Sequence, residues 1–251
     1  MNISDPHYPI LYHAHHSRHT EDLPFWLELA GQQGGPILEL GCGTGRVLVA
    51  LAQAGYPVFG LDHDAHMLAV LLDHLPPGTP ALVFQADLGY FRLSLGFSLI
   101  LVPCNTWSTL TQATRRAALA KIADHLLPGG LFAASIPNPA LLRRQPRRME
   151  AEVEDDFPHP GTGNPVQVST GWERTGQVFR LEWLYDHLLP DGRVERLSVQ
   201  VDHDLAPLEA HQAELVAAGL LPDGEYGDYD RSPYRPDSPY LILTARHEQD
   251  F

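Results

Sequence analysis

Short apolar runs alternate with segments of helical periodicity along the first half of the chain. Val47, Leu48 and Leu51, for example, recur at helical spacing after the first run. The runs themselves are continuous rather than alternating, which is typical of parallel strands that helices cover on both faces. The pattern therefore predicts an α/β fold with a doubly wound, mostly parallel sheet. Seven strands are predicted, at Ile37 to Leu40, Pro57 to Leu61, Ala81 to Gln85, Leu99 to Val102, Leu131 to Ile136, Glu225 to Tyr229 and Tyr240 to Ala245.

Glycine and proline residues indicate where the intervening helices end. Gly55, Pro76 and Pro128 each follow a segment of helical periodicity. Four helices are predicted, one ending before Gly55 and the others at Ala65 to Leu75, Thr111 to Leu127 and about Pro207 to Ala218.

The pattern changes after the fifth predicted strand. Residues 137–165 contain several prolines, and the arginines between Arg143 and Arg148 are followed by acidic residues between Glu150 and Asp156. This composition predicts a solvated surface connector. A mobile lid over the active site is the alternative interpretation.

Residues 166–204 alternate with a period of two. The apolar positions Val166 and Val168, Phe179 to Tyr185 at every second residue, and Leu197 to Val201 at every second residue share one face. The alternation predicts a three-stranded antiparallel meander, inserted over residues 164–205 of a single domain that spans residues 1–251. Three strands alone bury little surface, so the apolar face must lie on the main domain or on another subunit.

Composition and charge exclude several classes of protein. The chain has 251 residues, of which 44% are hydrophobic and 19% charged, and this composition excludes a mainly disordered protein. Its formal net charge of −14 repels nucleic-acid phosphate and anionic lipid, so we expect neither as a partner. Two cysteines in apolar surroundings, and an N-terminus without a basic region before an apolar run, predict a cytoplasmic location.

A glycine-rich turn follows the first predicted strand. Gly41, Gly43 and Gly45 occupy alternate positions, and Asp62 ends the second strand 21 residues after Gly41. Glycine lets a ligand approach the backbone closely, and a carboxylate at Asp62 can accept hydrogen bonds from ribose hydroxyls. Two cofactor classes use this layout. Nicotinamide and flavin dinucleotides need a glycine at the sixth position of the turn, where this chain has Arg46.

The run E-L-G-C-G-T-G at residues 39–45 resembles the first motif of the class I S-adenosylmethionine-dependent methyltransferases, and residues 228–233 resemble the bacterial small-molecule members of that family. Residues 61–68, 84–88, 102–106 and 126–131 resemble later motifs of that family, so the resemblance covers roughly residues 30–137. It implies a Rossmann-like methyltransferase fold, S-adenosylmethionine as cofactor and a substrate-side role for the inserted meander.

The resemblance also implies roles for individual residues. Glu39 favours the ammonium group of the methionyl portion, Asp62 binds the ribose, and Asp87 with the Leu88 backbone reads the adenine edge. Residues 1–35 form a capping segment that closes over the cofactor and brings Tyr12 to it. The complete set of expected cofactor-binding residues is Tyr12, Glu39, Gly41, Cys42, Gly43, Gly45, Asp62, His63, Met67, Ala86, Asp87, Leu88 and Pro103.

Substrate contacts are expected beyond the carboxyl ends of the strands, where doubly wound sheets bind their ligands. The candidates are Asn105 and Trp107 after the fourth strand and Tyr229 and Arg231 before the last. Methyl transfer from a sulfonium is a direct displacement, so positioning suffices and no catalytic residue is assigned. His159, His187 and His203 serve as a base only if folding brings one of them to the acceptor.

The N-terminal segment is rich in histidine. His15 and His19 are four residues apart, a spacing that places two metal ligands on one helix face. No accompanying cysteine or carboxylate completes a site, so the sequence predicts no metal.

Together these features predict methyl transfer from S-adenosylmethionine to a nitrogen or oxygen of a small molecule by a monomer or homodimer. A non-catalytic S-adenosylmethionine-binding module is the first alternative. A nicotinamide oxidoreductase is disfavoured by Arg46, and a nucleic-acid methyltransferase by the net charge.

Overall fold

A computed structural model describes residues 5–247 of the protein. Two sheets account for its strands, a mostly parallel one of seven strands and an antiparallel one of four. The strands are β1 (Ile37–Leu40), β2 (Val58–Asp62), β3 (Ala81–Gln85), β4 (Phe97–Val102), β5 (Leu126–Pro137), β6 (Arg148–Pro158), β7 (Pro165–Thr175), β8 (Val178–Leu188), β9 (Val194–Asp204), β10 (Leu220–Tyr226) and β11 (Tyr240–His247).

The seven-stranded sheet has the order β10-β11-β5-β4-β1-β2-β3. Strands β1 to β5 pair with one another in parallel, whereas β11 is antiparallel to both of its neighbours, β5 and β10. The predicted doubly wound α/β fold is therefore confirmed. The helices are α1 (Tyr8–His16), α2 (Leu23–Gln33), α3 (Arg46–Gln53), α4 (Ala65–His74), α5 (Gln112–His125), α6 (Pro139–Leu142) and α7 (Leu208–Ala217).

Two predicted element boundaries are wrong. The helix predicted up to Leu127 ends at His125, because β5 already begins at Leu126 and pairs there with Phe97. The strand predicted near Glu225 to Tyr229 begins earlier, at Leu220. Its polar residues and a register shift between Pro222 and Gly224 interrupt the apolar pattern by which strands are recognised.

The antiparallel sheet, called sheet B below, has four strands in the order β6-β7-β8-β9 rather than the three predicted. The added strand β6 lies within the segment that the sequence analysis interpreted as a surface connector. It is an edge strand in which most residues on both faces are exposed, and half of the exposed residues are acidic. A strand of this kind shows no apolar alternation, which is why the sequence pattern missed it.

The apolar face of sheet B lies on the main domain. Val166, Val168 and Tyr185 pack in one buried cluster with Tyr8 of α1 and Met67 of α4. Of the two locations that the sequence left open for this face, the structure supports the one within the same chain. No helix within residues 5–247 combines the length and the apolar character needed to cross a membrane.

Candidate active site

The turn after β1 is held against the end of β2. The backbone amides of Gly41 and Cys42 donate to the carbonyl oxygen of Leu61, at 2.7 and 3.0 Å. Gly43 has a φ of 52°, and a Cβ built on it would meet nothing within 4 Å, whereas a Cβ on Gly41 would lie 2.6 Å from the Thr106 side chain. The face of the turn at Gly43 is therefore open to a ligand.

Asp62 connects the end of β2 to this turn. One carboxylate oxygen accepts from the Gly43 amide at 2.8 Å, and the other accepts from the Asp64 amide at 2.9 Å. Only 7% of Asp62 is exposed. The hydrogen bond to Asp62 raises the pKa of the adjacent His63, whose Nδ1 lies 3.4 Å from the carboxylate. Asp62 thus fixes the turn while part of its carboxylate still faces the cavity described below.

Glu39 lies behind the turn, on β1. It is 2% exposed, and its Oε2 has no hydrogen-bond partner within residues 5–247. Burial raises the pKa of Glu39 to about 8, although Arg46 opposes the shift. A buried carboxyl with a free oxygen provides a site where a cationic group gains a partner.

Arg46 begins α3 and connects it to the N-terminal segment. Its guanidinium donates to both carboxylate oxygens of Asp22, with an Nη2–Oδ2 distance of 2.7 Å, and to the carbonyl oxygen of His19. Although burial opposes it, the carboxylate of Asp22 raises the pKa of Arg46 above its ordinary value. This ion pair places α1 and α2 beside the glycine turn.

A cavity of about 810 Å³ opens at the carboxyl ends of the parallel strands. Eight of the expected cofactor-binding residues line it: Tyr12, Gly41, Gly43, Asp62, His63, Met67, Asp87 and Leu88. The other five, Glu39, Cys42, Gly45, Ala86 and Pro103, belong to the same turn and strand ends but do not line the cavity. The volume is near the upper end of the range for small-molecule sites, so the cavity has room for more than a small ligand.

Two of the four expected substrate residues line the cavity, and the other two do not. Asn105 and Tyr229 line the cavity. Trp107 is buried against Phe132, with ring centroids 5.5 Å apart. Arg231 lies outside the lining and pairs with Glu28 at 3.1 Å. Asn105 has a φ of 63°, a sparsely populated conformation for a residue with a side chain, and such strain clusters at functional sites.

Sheet B forms a wall of the same cavity. Of the residues in this wall the sequence indicated only His203, as a base whose role depended on folding. The side chains of Phe179, Leu181, Trp183, Val201 and His203 line it. Period-two alternation reveals which residues share the face, but not that the face covers the strand ends. His159 and His187 stack on each other, with centroids 4.2 Å apart, and do not line the cavity.

Three histidines near the end of α1 lie close together. One nitrogen from each of His15, His16 and His19 falls within 4.8 Å of the others. The Asp155 carboxylate lies 3.9 Å from His15 but pairs with Arg18 at 3.1 Å. The carboxylate nearest to His15 is therefore already engaged by a guanidinium group.

Residues 37–130 match the family model described as "Methyltransferase domain". Residues 37–130 therefore form a methyltransferase domain, with S-adenosylmethionine as its cofactor. This match covers β1 to the start of β5, the part of the methyltransferase that builds the turn and the strand ends. The alternative of a nicotinamide-dependent oxidoreductase is thereby disfavoured.

Several known proteins are similar to this methyltransferase, and they differ in how much of the chain the similarity covers. A putative methyltransferase of Bacillus subtilis is 32% identical over 79 residues, so this chain matches only 30% of that relative's length. A dTDP-3-amino-3,6-dideoxy-alpha-D-glucopyranose N,N-dimethyltransferase of Streptomyces fradiae is 26% identical over 84% of this chain and 81% of its own. The structure of SAM-bound CalS10, an amino pentose methyltransferase from Micromonospora echinaspora, superposes with a TM-score of 0.69 at 22% identity, over 99% of both chains.

The side chains and amides present in the methyltransferase fit S-adenosylmethionine. The open face at Gly43 allows close approach, Asp62 provides carboxylate oxygens for hydroxyl groups, and the free oxygen of Glu39 provides a partner for an ammonium group, directly or through water. When bound, S-adenosylmethionine supplies an activated methyl group. The individual roles of these residues, Asp87 and Leu88 included, remain predictions.

Proposed function

We propose that this methyltransferase transfers the methyl group of S-adenosylmethionine to an amine nitrogen of a small molecule held against sheet B. The observation that carries the proposal is that a single cavity joins the glycine turn and Asp62 to the apolar face of sheet B. A cofactor and an acceptor can therefore occupy the same cavity. A non-catalytic binding module needs no such second wall.

The lining of the cavity suits a neutral acceptor with apolar surface. Phe179, Leu181 and Trp183 offer apolar area, and a few polar groups lie among them. Burial lowers the pKa of His203 to about 4 and raises that of Tyr229, so both side chains are neutral at physiological pH. An amine needs only its lone pair to accept a methyl group, whereas a hydroxyl needs a stronger base.

The named relatives support an amine over a hydroxyl. The Streptomyces fradiae relative is named for N,N-dimethylation of a nucleotide-linked amino sugar, and CalS10 is described as an amino pentose methyltransferase. We therefore place the acceptor among amino sugars and similar small amines. The net charge of −14 disfavours nucleic acid as acceptor. A cytoplasmic location and a monomeric or dimeric state remain predictions from the sequence.

The test compares two acceptors that differ at one position. The protein is incubated with S-adenosylmethionine and dTDP-3-amino-3,6-dideoxy-α-D-glucopyranose, or with the counterpart that carries a hydroxyl at that carbon, and products are identified by mass spectrometry. We expect methylation of the amino sugar alone. A Gly43→Val variant is the inactive control, because its side chain fills the open face of the turn. Methylation of the hydroxyl counterpart, or of neither compound, would contradict the proposal.

A further inference from the structure

Ser108 and His203 form a hydrogen-bonded pair in the cavity wall. Ser108 lies in the 3₁₀ helix Thr106–Thr109 that follows β4, and His203 lies near the end of β9, opposite Phe179 in the register of sheet B. The distance from Ser108 Oγ to His203 Nδ1 is 2.8 Å. Both residues are buried, at 2% and 5% exposure, and His203 lines the cavity.

A second contact of Ser108 determines which nitrogen of His203 carries the proton. Ser108 Oγ also lies 2.8 Å from the carbonyl oxygen of Asn105, which only accepts. A hydroxyl has one proton, so both contacts are hydrogen bonds only if Ser108 donates to Asn105 and accepts from Nδ1–H of His203. That tautomer leaves the lone pair on Nε2. Within residues 5–247, Nε2 of His203 has no hydrogen-bond partner.

We propose that Nε2 of His203 accepts a hydrogen bond from an N–H of the acceptor amine and thereby turns the amine lone pair toward the methyl group. The proposal rests on the proposed amine methylation. In the step, the amine nitrogen forms a bond to the methyl carbon while the carbon–sulfur bond breaks and its electron pair stays on sulfur. The nitrogen then carries a positive charge, which is lost when the released product gives one N–H proton to water.

The surroundings of His203 keep its imidazole neutral between turnovers. Burial lowers its pKa to about 4, while Asp202 on the same strand opposes the shift and is itself paired with Arg180 of β8. The neighbours that face the ring from β8 and from the 3₁₀ helix are Phe179 and Ser108, which carry no charge. Nε2 therefore keeps its lone pair at neutral pH and is available to accept a hydrogen bond from the amine.

The first experiment does not depend on turnover. ¹⁵N-NMR of the whole protein, with the His203 signals assigned from a His203→Asn sample, reports which ring nitrogen is protonated between about pH 6 and 8. We expect a proton on Nδ1 and a lone pair on Nε2 throughout, and loss of this preference in Ser108→Ala. A proton on Nε2, or an imidazolium, at neutral pH would overturn the assignment.

The second experiment measures kinetics with the amino sugar of the preceding section as probe. His203→Asn retains a donor to Ser108 but lacks Nε2, so the amine is no longer held in line with the methyl group and kcat should fall about 10²-fold, with S-adenosylmethionine affinity by calorimetry unchanged. His187→Asn is the control, because His187 is also buried in sheet B but lies outside the cavity. Equal kcat for wild type and His203→Asn would overturn the role of His203. An inactive wild type with the expected NMR result would instead contradict the proposed function.

Discussion

The carboxylate of Asp62 accepts a hydrogen bond from the backbone amide of Gly43 at 2.8 Å. The end of β2 thereby holds the glycine turn that follows β1, although 19 residues separate the two positions. The other carboxylate oxygen of Asp62 accepts a hydrogen bond from the Asp64 amide. Because each oxygen has a donor, the orientation of the carboxylate is fixed.

We expect Asp62→Ala to weaken S-adenosylmethionine binding by about 1–3 kcal/mol, because hydrogen bonds to a charged group are lost. Calorimetry with the wild type and the variant measures the change. Asp73→Ala is the matched control, since Asp73 is an exposed carboxylate on α4. Unchanged affinity in the Asp62 variant would contradict the role assigned to this carboxylate.

The buried carboxyl of Glu39 makes the stability of the cofactor-free protein depend on pH. Its pKa is raised from 4.5 to about 8, so between these values the folded protein binds more protons than the unfolded chain. The free energy of unfolding therefore falls as pH rises through this window. Glu39→Gln removes the titrating group, so the stability of the variant should not fall in this way. Relative to the wild type, the variant therefore gains stability from pH 5 to pH 8, on the order of 1.4 kcal/mol for each unit of pKa shift.

Urea unfolding of both proteins at the two pH values measures the effect. Glu150→Gln is the control, because Glu150 is exposed at its end of sheet B. A difference between wild type and Glu39→Gln that is the same at both pH values would show that Glu39 does not titrate in this window.

The Arg46–Asp22 ion pair should contribute strongly to stability. Both side chains are largely buried, and Asp22 also accepts the indole N–H of Trp26 at 2.9 Å. Asp22→Ala leaves the Arg46 guanidinium buried without this partner, at a cost of about 3–5 kcal/mol. Urea unfolding tests this, with Asp191→Ala as the control, since it breaks an exposed pair with Arg193 and should hardly change stability. Similar losses for the two variants would contradict the argument.

The histidines 15, 16 and 19 should not make transfer depend on a metal ion. Arg18 engages the Asp155 carboxylate, and Arg46 donates to the His19 carbonyl, so a divalent cation here faces two guanidinium groups. The methyl group is already activated on the cofactor and needs no Lewis acid. We expect dialysis against a chelator to leave the turnover rate unchanged. A lower rate that Zn²⁺ restores would show that the histidines hold a functional ion.

The cofactor side of the site was predictable because its signals are local. The glycine turn and Asp62 lie at the ends of continuous apolar strands, and parallel strand ends meet at one edge of a sheet. Trp107 follows β4 as expected but packs into the core against Phe132. Spacing along the chain indicates that a residue is near the edge, not which way its side chain points.

The acceptor side was not predictable from the sequence. Strand β6 is charged on exposed faces and lacks apolar alternation, so the pattern indicated a connector. Ser108 and His203 are 95 residues apart and meet only because sheet B folds back over the strand ends. Alternation indicates that a face is buried, whereas its partner depends on tertiary packing, for which one sequence carries no local signal.

Trp183 should determine how well the acceptor binds. It lines the cavity from β8, and its ring lies 5.4 Å from that of His16. Trp183→Ala removes apolar area worth about 1.5–3 kcal/mol if the acceptor covers the ring, so the KM for the amino sugar should rise about 10- to 100-fold. S-adenosylmethionine affinity should stay within about twofold, because the turn and Asp62 are untouched. Trp172→Ala on β7 is the control. Trp172 stacks on the lining residue Phe179 but does not itself line the cavity. An equal rise in KM for both tryptophan variants would show that the substitutions act by destabilising sheet B. It would contradict the placement of the acceptor against Trp183.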